Sequence, residues 1–186
     1  MSLDSYTKFQ RWFVEPLNVL KTMPNGDGGF VALSIGCQLC ERFYRARTHT
    51  QEIEDGMLFQ EAAGIDLGIG KEKFQQFWKI FRHGMQHQGS PKNASIRGID
   101  YRWRISSNYT SIPVQVIEQS NSQTVVIIQI DPWKFADLIV SKFDKEPNVL
   151  DDAISHAFGD IYDTNDSASN TAFPATQSAA PQVKLD

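Results

Sequence analysis

The most constraining feature of the chain is a set of aromatic residues at helical spacing in KEKFQQFWKIFRHGMQH, residues 71–87. Four large side chains follow the i, i+3, i+4, i+7 pattern of one helical face: Phe74, Phe77, Trp78 and Phe81. A face of that size has to be covered by other elements, so the pattern predicts a helix packed into a helical core. The glycine and proline of HQGSPKN follow as stop signals.

The neighbouring segments predict more helices. FVALSIGCQLCERFYRAR, residues 30–47, is apolar on most sides and is expected to be the buried central helix. Residues 4–22 also have helical spacing, with Pro16 predicting a kink or two shorter helices. DPWKFADLIVSKFD opens with an acidic N-cap and a proline at the first helical position, and NVLDDAISHAFGDIY follows as a last helix. The glycines of GIDLGIG predict a loop.

A change of period after the aromatic helix predicts strands. IDYRWRISSNY alternates apolar and polar residues, and SIPVQVIEQSNSQTVVIIQI reads as two strands around a turn at 119–122. The predicted fold class is therefore mainly α, a helical bundle with a small antiparallel β-meander at about 99–130, inserted before the last helices. We expect one domain over 1–163, followed by a disordered low-complexity tail over 164–186.

Charge is distributed unevenly along the chain, although the net charge is only −4. Residues 71–104 carry eight Lys or Arg against two acids, whereas residues 131–186 carry four Lys against ten acids. A basic middle can present a cationic face to a phosphate backbone; the alternative is a set of charges scattered over a solvated surface. The first ten residues show no secretory signal and no long apolar run is present, so we expect a cytoplasmic protein with no membrane partner.

Two short motifs supply residue types that bind zinc. Cys37 and Cys40 form CxxC, and His83 and His87 form HxxxH, which together offer four zinc ligands. However, CQLC is embedded in an apolar helix, and 42 residues separate the two pairs, which is not a zinc-finger spacing. We therefore expect no metal and no cofactor; the alternative is a zinc-stabilised helical binding module.

The end of the aromatic helix, FRHGMQHQG, resembles a known motif. An arginine, a polar residue, three further residues and a histidine at the end of a helix are typical of HEPN domains, and the resemblance covers residues 30–90 most directly. HEPN domains have an all-helical core, are commonly dimeric and include many metal-independent endoribonucleases of bacterial defence, toxin–antitoxin and RNA-processing systems. His83 stands here where the family usually has asparagine. Several members are inactive and bind nucleotides or partner proteins instead.

The residues of this motif suit metal-free RNA cleavage, in which the 2′-hydroxyl is the nucleophile. His87 is the candidate general base or acid, because imidazole titrates near neutrality. Arg82 is the candidate phosphate clamp, because a guanidinium donates two parallel hydrogen bonds and keeps its charge. His83 would orient the substrate or carry the second proton.

The spacing of this motif raises a geometric question. Five helical steps leave Arg82 and His87 roughly 140° apart on an ideal helix. They can cooperate only if the helix loosens near Gly84 or if two subunits pair their motifs. The second option agrees with the resemblance and predicts a homodimer with the 71–87 helix at its two-fold interface.

Supporting residues are expected on two other segments. HEPN members often carry an acidic residue on the preceding helix, so Glu41 is a candidate to hold Arg82; the alternative is a simple i,i+4 ion pair of Glu41 with Arg45. Candidate RNA-binding residues follow the motif: Lys92, Arg97, Arg102 and Arg104. Their interleaving with Tyr101 and Trp103 suits single-stranded RNA, although we expect these two aromatic residues to form the buried side of a strand.

Two functions are therefore carried forward. The first is a metal-independent endoribonuclease of HEPN type, with RNA as substrate and an antitoxin or other protein as partner. The alternative is an inactive HEPN-like dimeric module that binds a partner protein or a nucleotide.

Overall fold

Helices make up most of the fold, and one four-stranded mixed sheet precedes the last two of them. The computed structural model describes residues 4–49, 57–85, 89–106, 113–120 and 124–155. The helical segments are α1 (Ser5–Phe9), a first π-helical turn (Gln10–Val14), α2 (Glu15–Lys21), a 3-10 turn (Pro24–Gly26), α3 (Gly29–Arg47), α4 (Met57–Asp66), α5 (Lys71–Phe77), a second π-helical turn (Trp78–His83), α6 (Pro132–Lys145) and α7 (Pro147–Ser155). The strands are β1 (Ala94–Ile96), β2 (Ile99–Ile105), β3 (Val114–Ser120) and β4 (Thr124–Ile130).

The predicted central helix is confirmed as α3. Its buried side chains run along most of its length: Ala32, Leu33, Cys37, Leu39, Cys40, Phe43 and Tyr44. Helix α6 packs closely against α3, and a Cβ added at Gly36 would lie only 3.0 Å from Cδ1 of Phe135. About two helical turns further along each helix, Phe143 meets Phe43 edge-on, with ring centroids 5.1 Å apart. The absence of a side chain at Gly36 therefore allows the two helices to approach.

Pro16 is accommodated by the first π-helical turn. The N–H of Glu15 donates to the carbonyl of Gln10, five residues earlier, which is the π-helical pattern. In a regular α-helix the proline ring would clash with the carbonyl four residues before it. The wider turn that precedes Pro16 relieves this clash, so α1 and α2 follow one another without a break.

Helix α4 was not predicted, and it includes the start of GIDLGIG. It ends at Asp66, after which the N–H groups of Ile69 and Gly70 both donate to the carbonyl of Gly64. A Cβ at Gly64 would lie 2.5 Å from the carbonyl oxygen of Gly70. That glycine therefore serves the close return of the chain, and the loop expected here is limited to the residues after Asp66.

The predicted antiparallel meander is wrong, because the strand order is β1-β2-β4-β3 and β2 pairs with β4 in parallel. Strand β4 is the most apolar and the most buried of the four, with Val126, Ile128 and Ile130 in the core. A strand of that kind is most stable with neighbours on both sides. The chain from 106 to 123, which includes β3, is long enough to make the crossover that a parallel pair requires.

The sheet packs one face against the helices. Tyr101 and Trp103 of β2 pack against the core, so the expectation that they form the buried side is confirmed. Strand β1, which was not predicted, joins β2 through a two-residue turn at Arg97 and Gly98, both with positive φ. Such a turn matches the twist of a hairpin.

Some predictions fall on residues that lie outside those described. These are the assignment of His87, the second half of the turn predicted at 119–122, the end of the last predicted helix beyond Ser155 and the tail over 164–186. Over the ranges given above, no helix combines the length and apolar character needed to cross a membrane.

Candidate functional site: a carboxylate between two arginines

Glu41 on α3 contacts two arginines at once. Its Oε1 accepts from Nε of Arg45 at 3.0 Å, and its Oε2 accepts from Nη2 of Arg82 at 3.2 Å. The sequence left open which arginine Glu41 contacts, and the structure shows both contacts. All three side chains are between 16% and 25% exposed, so these ion pairs are partly shielded from water.

The geometry of two helices produces this arrangement. Cys37, Glu41 and Arg45 follow one another at four-residue spacing, so they lie along one side of α3. Arg82 comes from the second π-helical turn, which continues α5 directly. The aromatic stripe predicted for this helix is confirmed, since its members are all buried, and their packing fixes the helix against the core. Burial of the stripe therefore fixes how this helix is rotated about its axis, and that rotation directs Arg82 toward α3.

Aromatic rings lie beside both guanidinium groups. Cζ of Arg45 is 4.6 Å from the ring centroid of Phe59, and Cζ of Arg82 is 5.9 Å from that of Trp78. The two rings meet edge-on, with centroids 5.4 Å apart. Cations are attracted to the faces of such rings, so the rings help to hold two like charges near one carboxylate.

The guanidinium of Arg82 retains donor capacity. Its Nε is buried, and within the described part of the chain that atom has no hydrogen-bond acceptor. Glu41 serves two guanidinium groups, and the Arg82 side chain is still 25% exposed, so part of its guanidinium can be reached from solvent. An arrangement of this kind favours an anion, and phosphate oxygens are suited to a planar guanidinium.

Gly84, within the motif, is closely packed against the segment that follows the motif. A Cβ at Gly84 would lie 2.8 Å from the carbonyl oxygen of Ser90 and 2.9 Å from Cα of Pro91. The N–H of Lys92 donates to the carbonyl of Ile80 at 3.2 Å. The segment after the motif is therefore held against the helix that carries Arg82.

Of the two histidines of the motif, only His83 lies among the described residues. His83 ends the second π-helical turn and is exposed. His87 belongs to the range 86–88, which lies outside the described residues. The loosening of the helix that a single-chain site requires is seen before Gly84, as the π-helical turn, rather than at the glycine itself.

The other candidate RNA-binding residues lie on the sheet or near it. Arg102 and Arg104 are exposed on the face of β2 that is turned away from the core, and Arg102 lies 3.9 Å from Asp100. Arg97 occupies the hairpin turn with φ of 52°, and Lys92 is exposed just before β1. These four cations are thus available to solvent on a different element from the Glu41 cluster.

The cysteines do not resemble metal ligands. Both are buried and free. Burial raises the pKa of Cys37 to about 12, although the charge of Arg82 opposes the rise, and burial also raises the pKa of Cys40 well above its ordinary value. Metal binding needs the thiolate, which such burial disfavours. Among the described residues, no three His, Cys, Asp or Glu side chains are grouped to hold a metal.

Sequence reasoning missed the two aromatic contacts of the cluster. Trp78 precedes Arg82 by four residues, which is a readable signal, but it was assigned to the aromatic stripe alone. Phe59 lies on the helix that was not predicted, so no sequence signal connected it to Arg45.

Comparisons with known proteins found no match to the chain among protein-family models, curated proteins or solved structures.

Proposed function

We propose that the chain is a metal-independent endoribonuclease of HEPN type, whose site is built from Arg82, His83 and His87. The observation that carries the proposal is the contact of Arg82 with Glu41 across two helices. A surface arginine would gain little from such a partner, whereas an arginine that must meet a phosphate in one orientation needs a fixed side chain. The partial exposure of the Arg82 side chain, at 25%, supports the same role, because a phosphate can approach its Nη atoms from solvent.

The proposed reaction is an attack by the ribose 2′-oxygen on the neighbouring phosphorus. His87 takes the proton of the 2′-hydroxyl while the bond from that oxygen to phosphorus forms. The bond from phosphorus to the 5′-oxygen breaks, and His83 or a second His87 returns a proton to the leaving oxygen. Arg82 stabilises the negative charge on the non-bridging oxygens. The products are a 2′,3′-cyclic phosphate and a 5′-hydroxyl.

A homodimer belongs to this proposal, because a second copy can supply the histidine that faces Arg82. The exposed residues of the motif helix are polar, and they include Glu72, Lys79 and His83. A two-fold interface along this face would therefore be polar and hydrated, unlike the apolar interfaces that resemble a protein core.

Cleavage of RNA in the presence of a chelator tests the proposal. We expect cleavage that leaves 2′,3′-cyclic phosphate ends and that falls about a hundredfold or more in His87→Asn and Arg82→Gln. His49→Asn and Arg11→Gln are matched controls, since Arg11 is exposed in the first π-helical turn and His49 is exposed just after α3. Asparagine also tolerates the positive φ of His49.

The outcomes separate the alternatives. Cleavage that disappears with the chelator would contradict the metal-independent mechanism. A folded protein that cleaves no RNA would leave the inactive dimeric module that binds a partner protein or a nucleotide. The exposed apolar side chains of Leu58 and Ile65 on α4, which are 60% and 69% exposed, favour a partner protein in that case.

A further inference from the structure

Trp78 stands next to the one side chain on which the proposed function most depends. Its ring centroid lies 5.9 Å from Cζ of Arg82, and it is only 4% exposed. Trp78 and Arg82 are four residues apart in one helical turn, so their side chains leave the helix on the same side. The guanidinium therefore lies between an indole ring and the carboxylate of Glu41.

The indole ring is itself fixed by its neighbours. Phe74 stacks on Trp78 with ring centroids 5.7 Å apart and an angle of 21° between the ring planes. Phe59 meets the same indole edge-on at 5.4 Å. Rings packed in this way cannot turn without displacing one another, so Trp78 presents a surface of fixed orientation to the cation.

The hydrogen bonds of Arg82 alone do not account for its orientation. One donor, Nη2, contacts Glu41, and the buried Nε has no acceptor in the portion of the chain that the structure describes. A single contact at 3.2 Å leaves a planar group free to rotate about that contact. A second surface is needed to set the plane of the guanidinium, and Trp78 is placed to provide it.

We infer that Trp78 is a positioning residue, whose cation–π contact with Arg82 sets the plane of the guanidinium so that its Nη donors face an incoming phosphate. Trp78 is buried and would touch no RNA itself. The inference rests on the proposed function for its purpose, since a set plane matters only if Arg82 binds an anion. Its geometric part stands on the contacts of Trp78, Glu41 and Arg82.

Trp12 provides a matched control within the same chain. It also lies in a π-helical turn, Gln10–Val14, and it has a cation four residues away, with Nζ of Lys8 6.0 Å from its ring centroid. Replacing Trp12 with phenylalanine therefore repeats the change in ring and helix without touching the Glu41 cluster.

The first experiment follows the Nε proton of Arg82 by NMR of the protein labelled with 15N, with Arg82→Gln used to assign the signal. The buried Nε predicts slow exchange of this proton with water. In Trp78→Phe we expect exchange of this proton to accelerate about fivefold and its ring-current shift to decrease. The reason is that a phenyl ring attracts the guanidinium less strongly than the indole ring it replaces. Trp12→Phe should leave the signal unchanged. An unchanged Arg82 signal in folded Trp78→Phe would overturn the inference.

Fluorinated tryptophan gives a second measurement that does not depend on the stability of a variant. Fluorine on the indole weakens the negative potential of its face and scarcely changes its shape. We expect exchange of the Arg82 Nε proton to accelerate with each added fluorine. Exchange that is the same with and without fluorine would show that the ring acts by bulk alone, which contradicts the inference.

Cleavage kinetics then separate this inference from the proposed function. If RNA is cleaved, Trp78→Phe should lower kcat about fivefold with an unchanged pH profile, because the histidines that transfer protons are intact. If RNA is not cleaved, the proposed function fails, while the NMR measurements still decide whether Trp78 orients Arg82.

Discussion

Glu41 shows how one side chain organises the candidate site at the scale of the residue. Each of its two oxygens serves a different arginine, one on its own helix and one on the motif helix. The contact with Arg45 follows from i,i+4 spacing, which a sequence shows directly. The contact with Arg82 is separated by 41 positions and was expected only through a family resemblance. Sequence spacing does not encode contacts of this range, because they depend on how two helices pack.

Replacement of Glu41 by glutamine tests this organisation. Glu41→Gln keeps the shape of the side chain but removes the carboxylate charge that two partly buried guanidinium groups contact. We expect the free energy of unfolding to fall by about 1 to 2 kcal/mol, measured by urea denaturation.

Asp137 provides the matched control for that change. Its ion pair with Lys21 is more exposed, at 55% and 36%, so Asp137→Asn should cost at most about 0.5 kcal/mol. Equal losses in the two variants would show that Glu41 contributes no more than a surface ion pair.

At the scale of the element, local sequence patterns predicted where helices begin, but they did not predict which strands pair with each other. The helix N-cap at Asp131 is confirmed, with its side chain accepting from the N–H groups of Trp133 and Lys134. The parallel pairing of β2 with β4 was missed, because alternation within a strand does not reveal its neighbour. Helix α4 was missed because Gly64 lowers helix propensity, although this glycine is needed for packing.

The end of the motif helix can be tested at Gly84. A Cβ there would meet backbone atoms of Ser90 and Pro91 at under 3.0 Å, and neither neighbour can rotate away. We therefore expect Gly84→Ala to lower the free energy of unfolding by about 1 to 3 kcal/mol, measured by urea denaturation.

Gly29 is the matched control, since it begins α3 and a Cβ there would lie 3.7 Å from Cγ of Pro132, an ordinary contact. Gly29→Ala should be neutral or slightly stabilising. A loss of stability in Gly29→Ala as large as in Gly84→Ala would contradict the packing argument.

At the scale of the whole molecule, Asp66 joins three helices. Its Oδ2 accepts from the hydroxyl of Tyr44 on α3 at 2.6 Å and from Nζ of Lys142 on α6 at 2.5 Å, and it also contacts Arg47. Burial raises the pKa of Asp66, but the hydrogen bonds from Lys142 and Tyr44 and the nearby positive charges outweigh it, so the pKa is lowered. Burial, together with its bond to Asp66, raises the pKa of Tyr44 above its ordinary value.

The lowered pKa of Asp66 predicts a pH dependence of stability. Its contribution is complete above the ordinary aspartate value of 3.8 and is lost as the pH falls through the lower pKa of the folded state. Asp66→Asn should therefore be less stable than the natural chain near neutral pH, and the difference should shrink below pH 3.8. Urea denaturation at a series of pH values measures this difference. A difference that stays constant with pH would exclude the proposed charge effect.

The π-helical turn at Trp78–His83 has a consequence for how the length of this helix can vary. Such a turn behaves as a one-residue insertion whose extra length is absorbed locally. In an ordinary α-helix, removing a residue rotates everything beyond it by about 100°. Here the loss of one residue within the turn would restore α-helical winding and leave Gly84 facing the same neighbours. The helix can therefore have its present length or be one residue shorter, with the chain after it packed in the same way.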